Sequence, residues 1–123
     1  MNRQKETFRA ISPVCEVFVL PAKKSGSGSF LSVKNISGRG VIAALSAENA
    51  PLKSAKRVLL LHLTDSHRTN AKFSAPDMRQ LENWGTLPYL AARGEAEITL
   101  KPQNGEYQLF AVDSAGKTLG VLY

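Results

Sequence analysis

The chain reads as all-β, an antiparallel immunoglobulin-like β-sandwich of about seven or eight strands with one long loop carrying a short helical turn. Three observations predict this. Short runs rich in β-branched and aromatic residues recur along the 123 residues, turn chemistry built from Gly, Pro, Asn, Asp and Ser separates them, and one segment, 65–84, breaks that rhythm. The organising stretch is Arg57-Val58-Leu59-Leu60-Leu61-His62-Leu63-Thr64. Five of its eight residues are aliphatic, too many for one wet face, so both faces are expected to contact protein, as in a central strand. Fully extended it spans roughly 26 Å, the height of a small sandwich.

The elements follow in order. Residues 1–11 form a polar leader, and 12–123 a single domain. Ser12 to Leu20 (S-P-V-C-E-V-F-V-L) has strand composition, with Pro13 at its start and Pro21 ending it. Ala22 to Ser29 has linker composition, but between two strand patterns in so short a chain it is expected to be a hairpin loop leading to the Phe30-Leu31-Ser32-Val33 run. Asn35 to Gly40 is a turn with glycines available for positive φ, Val41 to Leu45 a strand, and Ala47 to Leu52 the turn into the long strand. The two Gly-x-Gly sequences, at 26–28 and 38–40, lack the following helix that a phosphate cradle requires, and so are turn glycines. In 65–84, Ser74 is placed to cap a turn of helix with Pro76 early in it, Met78, Leu81 and Trp84 recurring at three-residue spacing, and Gly85 as the stop. Thr86 to Leu90 reads as an edge piece because of Pro88. Gly94 to Lys101 alternates cleanly, with Ala96, Ile98 and Leu100 opposite Glu95, Glu97, Thr99 and Lys101. The turn Gln103-Asn104-Gly105-Glu106, a strand from Tyr107 to Val112, the turn Asp113 to Lys117 and a strand from Thr118 to Tyr123 complete the chain, whose last strand is read as reaching the domain border.

A chain of this length buries roughly two thirds of the surface it exposes when unfolded, enough for a core without covalent staples. Cys15 is the only cysteine, so no intramolecular disulfide forms; its valine neighbours point to a strand thiol acting as a small hydrophobe. No apolar run approaches the roughly 20 residues of a membrane span, and Met1 to Thr7 leads into no signal-like segment. The net charge of +6 raises the question of nucleic acid. Its basic residues are scattered, however, with Lys23-Lys24 and Lys56-Arg57 the adjacent pairs, and no nucleic-acid motif is present, so neither nucleic acid nor membrane is an expected partner.

Chemistry-bearing residues are few. His62, Asp65 and His67 carry zinc-ligand side chains, but His-x-x-Asp-x-His matches no strong metal motif and convergence needs a sharp bend; no metal or cofactor is expected. Glu95 and Glu97 share a strand face about 6.6 Å apart at Cα, a weak echo of the paired carboxylates of glycoside hydrolysis, with solvated ion pairs to Arg93 or Lys101 the plainer role. Asp65-Ser66-His67 are adjacent and cannot line up as orienter, nucleophile and base, and no Gly-x-Ser-x-Gly elbow exists, so no catalytic residue is assigned. Trp84, Tyr89, Phe73 and Tyr107 are candidates for an aromatic platform for sugar rings, against the commoner role of loop and core anchors. Exposure decides between them.

The runs G-R-G-V-I-A-A-L-S at 38–46 and A-P-L-K-S-A-K-R-V-L-L-L-H-L-T-D-S at 50–66 resemble a C-terminal β-sandwich appended to large bacterial glycoside hydrolases and hydrolase-like proteins with a TIM-barrel catalytic domain. The likeness continues through Thr69-Asn70-Ala71-Lys72-Phe73, Trp84 to Tyr89, Arg93 to Leu100 and the closing hairpin; it departs at Ala71, where the pattern has glycine after the asparagine. The resemblance implies a non-catalytic accessory domain that packs against the barrel, an exported parent in periplasm or extracellular space, and no catalytic residue in this chain. It also directs attention to the 73–89 region, where Trp84, Tyr89 and Phe73, with Asn70, are the candidate carbohydrate contacts if the domain is instead a carbohydrate-binding module. Self-association through open edges or apolar faces is a further expectation.

Overall fold

The computed structural model describes residues 6–103 and 105–123; Met1 to Lys5 of the leader and Asn104 of the 103–106 turn lie outside the described residues. In chain order the strands are β1 (Phe8–Ile11), β2 (Cys15–Leu20), β3 (Gly26–Ser27), β4 (Leu31–Lys34), β5 (Gly40–Ser46) and β6 (Val58–Leu63). There follow β7 (Ser66–Thr69), β8 (Lys72–Phe73), β9 (Leu81–Asn83), β10 (Thr86–Ala91), β11 (Glu97–Leu100), β12 (Phe110–Val112) and β13 (Thr118–Val121). All pairings are antiparallel. A four-stranded sheet runs β1-β2-β5-β6 and a three-stranded one β11-β4-β3, while β10-β7, β8-β9 and β12-β13 are separate two-stranded pairs.

The all-β, antiparallel expectation therefore holds among the described residues, but its division differs: thirteen strands in several small sheets rather than seven or eight. Alternation explains the two larger sheets. In β2, Glu16, Phe18 and Leu20 are buried while Cys15, Val17 and Val19 are only partly so. Phe18 and Leu20, with Ile42 and Ala44 of β5, pack against Leu31 and Val33 of β4, and Phe30, Ile36 and Leu52 from the adjoining loops complete that core. Ala96, Ile98 and Leu100 press on it from the β11 side, the face predicted for them. These layers meet face to face.

Two expectations are corrected. β6 is an edge strand, its neighbour β5 on one side only, and not the central strand read from its aliphatic run. Its Val58 and Leu60 touch the core, but Leu59 and Leu63 are 43% and 52% exposed, so the second face that the composition calls for is left open. The helical turn in 65–84 is absent. Met78 sits at φ 56°, which no right-handed helix tolerates, and Ser74 N–H donates to Gln80 C=O at 3.0 Å, closing the β8-β9 hairpin instead of capping a helix. Within the leader, Phe8–Ile11 pair with β2 in register Phe8 to Val19 through Ile11 to Glu16.

The glycines act through space more than through dihedral freedom. A side chain on Gly26 would meet the Phe18 ring at 2.6 Å, and one on Gly28 would meet the Glu16 carboxylate at 2.1 Å. In the 35–40 turn the left-handed residue is Asn35 (φ 53°), not a glycine. Asn70, at φ 59°, is likewise left-handed at the turn between β7 and β8. The β12-β13 pair hydrogen-bonds to neither layer and exposes Phe110, Val112, Leu119 and Val121.

Candidate functional site

The proposed zinc-ligand types do not assemble. His62 lies on the core side of β6 opposite Ile42, Asp65 follows the strand and accepts the Ser66 N–H at 2.9 Å, and His67 is exposed on β7 opposite Leu90. Among the described residues no three His, Cys, Asp or Glu side chains come together as a metal-binding group. Ser66 and His67, as successive strand residues, point to opposite faces of β7. Glu95 is held by Arg93 at 2.9 Å, and Glu97 by Asn35 at 2.8 Å and Lys34 at 3.7 Å, so both carboxylates serve solvated pairs.

The aromatic candidates separate into two kinds. Trp84 is 74% and Tyr89 63% exposed. Phe73 is half-buried, and Tyr107 donates its hydroxyl to Ala55 C=O at 2.6 Å, which makes it an anchor. Arg68 spans from β7 to β10, its guanidinium 5.5 Å from the Tyr89 ring centroid and its Nε donating to the Tyr89 hydroxyl at 3.3 Å. That contact fixes Tyr89 but leaves Trp84 free. Asn70 turns the chain from β7 to β8 and is exposed.

Sequence reasoning passed over Glu16. It is the fully buried charged side chain of the described residues, 0% exposed. One carboxylate oxygen accepts Ser29 N–H at 2.9 Å, Ser29 O–H at 2.6 Å and Phe30 N–H at 3.0 Å, and the other accepts Leu31 N–H at 2.8 Å. Burial alone pushes this carboxyl upward; the Ser29 hydroxyl and the N–H groups of Leu31, Phe30 and Ser29 outweigh it and hold the group below its ordinary value of 4.5. Every donor comes from one loop. Glu16 is thus a clamp that fastens the start of β4, in one layer, to β2 in the other. Its signal was present in V-C-E-V-F-V-L, where alternation puts it on the same face as Phe18 and Leu20.

Two clefts and one face remain. The mouth between β6 and β11 opens into a cleft of about 890 Å³ lined by Val58, Leu60, Ile98, Leu100, Phe30 and Tyr107 among others. A smaller cleft of about 260 Å³ lies between Gly38-Arg39, the end of β6 and Ala92-Arg93-Gly94. The outer face of the four-stranded sheet is apolar throughout. Register aligns Phe8, Val19, Val41 and Leu63 in one row, Ala10, Val17, Ala43 and Leu61 in the next, and Cys15, Leu45 and Leu59 in the third. Phe8, Leu59 and Leu63 on the two edge strands are exposed, Val17, Val19, Val41 and Leu45 are half-buried, and Ala43 in the middle row is buried. Four strands about 4.8 Å apart and about six residues long make it roughly 380 Å² in plan. That is within the range of about 300–600 Å² for the largest apolar patch on a monomer and about half of one partner's share of a standard interface.

No protein-family model, no curated protein and no solved structure matches this chain.

Proposed function

We propose that this chain is an immunoglobulin-like β-sandwich that works as a non-catalytic accessory domain of a glycoside hydrolase-like protein, packing against a catalytic barrel and stabilising it. The observation that carries this is the uncovered outer face of the β1-β2-β5-β6 sheet. A sheet with polar residues on its outer side is finished as a surface, whereas one with only apolar residues and Cys15 in its rows gains by being covered. The test is co-expression of the chain with the barrel domain of its own polypeptide. Wild-type chain should co-purify and raise the barrel's melting temperature, and Val17→Asp with Leu61→Asp should abolish both effects. Unchanged co-purification by a folded double variant would refute the assignment of this face.

A second reading, a carbohydrate-binding module, draws on the exposure of Trp84 and Tyr89. Oligosaccharide that shifts Trp84 fluorescence saturably, with the shift lost in Tyr89→Ala, would favour it over domain packing.

A further inference from the structure

We infer that the cleft of about 260 Å³ at the end of β6 is a binding site for a neutral polyhydroxylated molecule, a single sugar ring or a polyol of that size. Its walls are Arg39, His62, Thr64, Asp65 and Arg93, with Gly38, Ala92 and Gly94 supplying backbone.

The cleft is built by cross-links between its own rims. Ser37 N–H donates to Glu95 C=O at 2.9 Å and Glu95 N–H to the Ser37 hydroxyl at 2.8 Å, tying the Arg39 loop to the Arg93 loop. Ala92 N–H donates to Asp65 C=O at 2.8 Å, and the Thr64 hydroxyl to Ala92 C=O, closing the opposite side. Gly94 keeps it open: a Cβ there would lie 2.4 Å from the Thr64 methyl and 3.2 Å from the His62 ring.

Within it stands an unmet need. His62 Nε2 is buried and has no hydrogen-bond partner among the described residues. A buried ring nitrogen left so costs free energy, and a ligand reaches it only with a shift of the rim beside Gly94. Neither Arg39 nor Asp65 forms an ion pair among the described residues, and one Asp65 carboxylate oxygen already accepts the Ser66 N–H, so the cleft is lined by the Arg39 guanidinium and the second Asp65 oxygen. Arg93 has one guanidinium nitrogen on Glu95 and donors to spare.

Charge then selects the ligand class. Arg39 and Arg93 are offset by Asp65 and Glu95, so the rim carries no net charge. An oxyanion meets the Asp65 carboxylate, and a cation meets Arg39. Vicinal hydroxyls both donate and accept, and satisfy guanidinium, carboxylate and imidazole together. The space is roughly nine waters' worth of liquid, below the range of drug-sized pockets, which limits the occupant to about one ring.

The inference stands apart from the docking face and from Trp84 and Tyr89. Its test is titration of the isotopically labelled chain with myo-inositol and with glucose, following the His62 ring proton and the amides of Gly38, Thr64 and Gly94 by NMR. Parallel titrations use inorganic phosphate and glycine. Saturable shifts confined to these groups are expected with a polyol, weakened about tenfold or more by Arg39→Gln and by Asp65→Asn, and unchanged by the remote Lys117→Gln. The dispersed spectrum of each variant verifies its fold. No saturable shift with either polyol, tighter binding of phosphate or glycine, or equal binding by Arg39→Gln and Lys117→Gln would each overturn it.

Discussion

Replacing Glu16 with alanine strips the acceptor from four donors at once: the N–H groups of Ser29, Phe30 and Leu31 and the Ser29 hydroxyl. Ser29 is exposed, so water can reach its groups, but Phe30 and Leu31 are 2% and 0% exposed and their N–H groups are left bare. Two buried orphan donors at about 1–3 kcal/mol each, with the cavity added, give a loss of roughly 3–5 kcal/mol. Against a typical stability of about 5–15 kcal/mol, that is a large fraction. Glutamine keeps the shape but turns an NH₂ toward N–H donors, and should lose roughly 2–4 kcal/mol. The assay is urea unfolding followed by far-ultraviolet circular dichroism. Trp84, 74% exposed, would report poorly. The pH dependence gives an independent check. Because the folded carboxyl is held below 4.5, its stabilisation is complete above that value and is lost as pH falls through the lower folded pKa. The stability difference between wild type and Glu16→Gln should therefore shrink on acidification below about pH 4.5. A Glu16→Ala variant within about 0.5 kcal/mol of wild type at neutral pH would refute the clamp.

Other outcomes follow from the same geometry. Gly28→Ala places a methyl 2.1 Å from the Glu16 carboxylate, and should cost about 1–3 kcal/mol by displacing it, measured in the same urea series. Gly85→Ala combines φ +66° with a Cβ 2.3 Å from Thr69 C=O, so a loss of about 2 kcal/mol or more is expected in thermal melts. Leu59→Lys with Leu63→Lys alters side chains already 43% and 52% exposed. It should leave stability within about 1 kcal/mol while reducing self-association by light scattering, and a much larger loss would mean the face is covered within the chain.

Strand alternation was legible wherever a layer covers one side and the pattern is long. Ala96, Ile98 and Leu100 fall on the core face for this reason, and so do Phe18 and Leu20. The aliphatic run at Val58 to Leu63 read as a central strand with protein on both faces, because an edge strand with an open face carries the same residues as a central one. Residues 66–91 were harder. Their order comes from pairs such as His67 with Leu90 and Phe73 with Leu81, set by cross-chain hydrogen bonds over two to six residues, too short for any periodicity to emerge. The three-residue spacing of Met78, Leu81 and Trp84 mimicked a helix, whereas Met78 is left-handed and Leu81 is in a strand. The small cleft was partly visible in His62 and Asp65. Its other wall is supplied by Arg39 and Arg93, more than twenty residues away on either side, and only folding joins them.

Cys15 sits on the outer sheet face in line with Leu45 and Leu59, partly exposed, and is a built-in probe of whether a barrel covers it. The rate of thiol alkylation should be measured for the folded chain alone and for the chain joined to the catalytic barrel proposed as its partner. Docking through this face predicts at least a tenfold slower reaction in the joined protein. Equal rates in the two, with both folded, would contradict it.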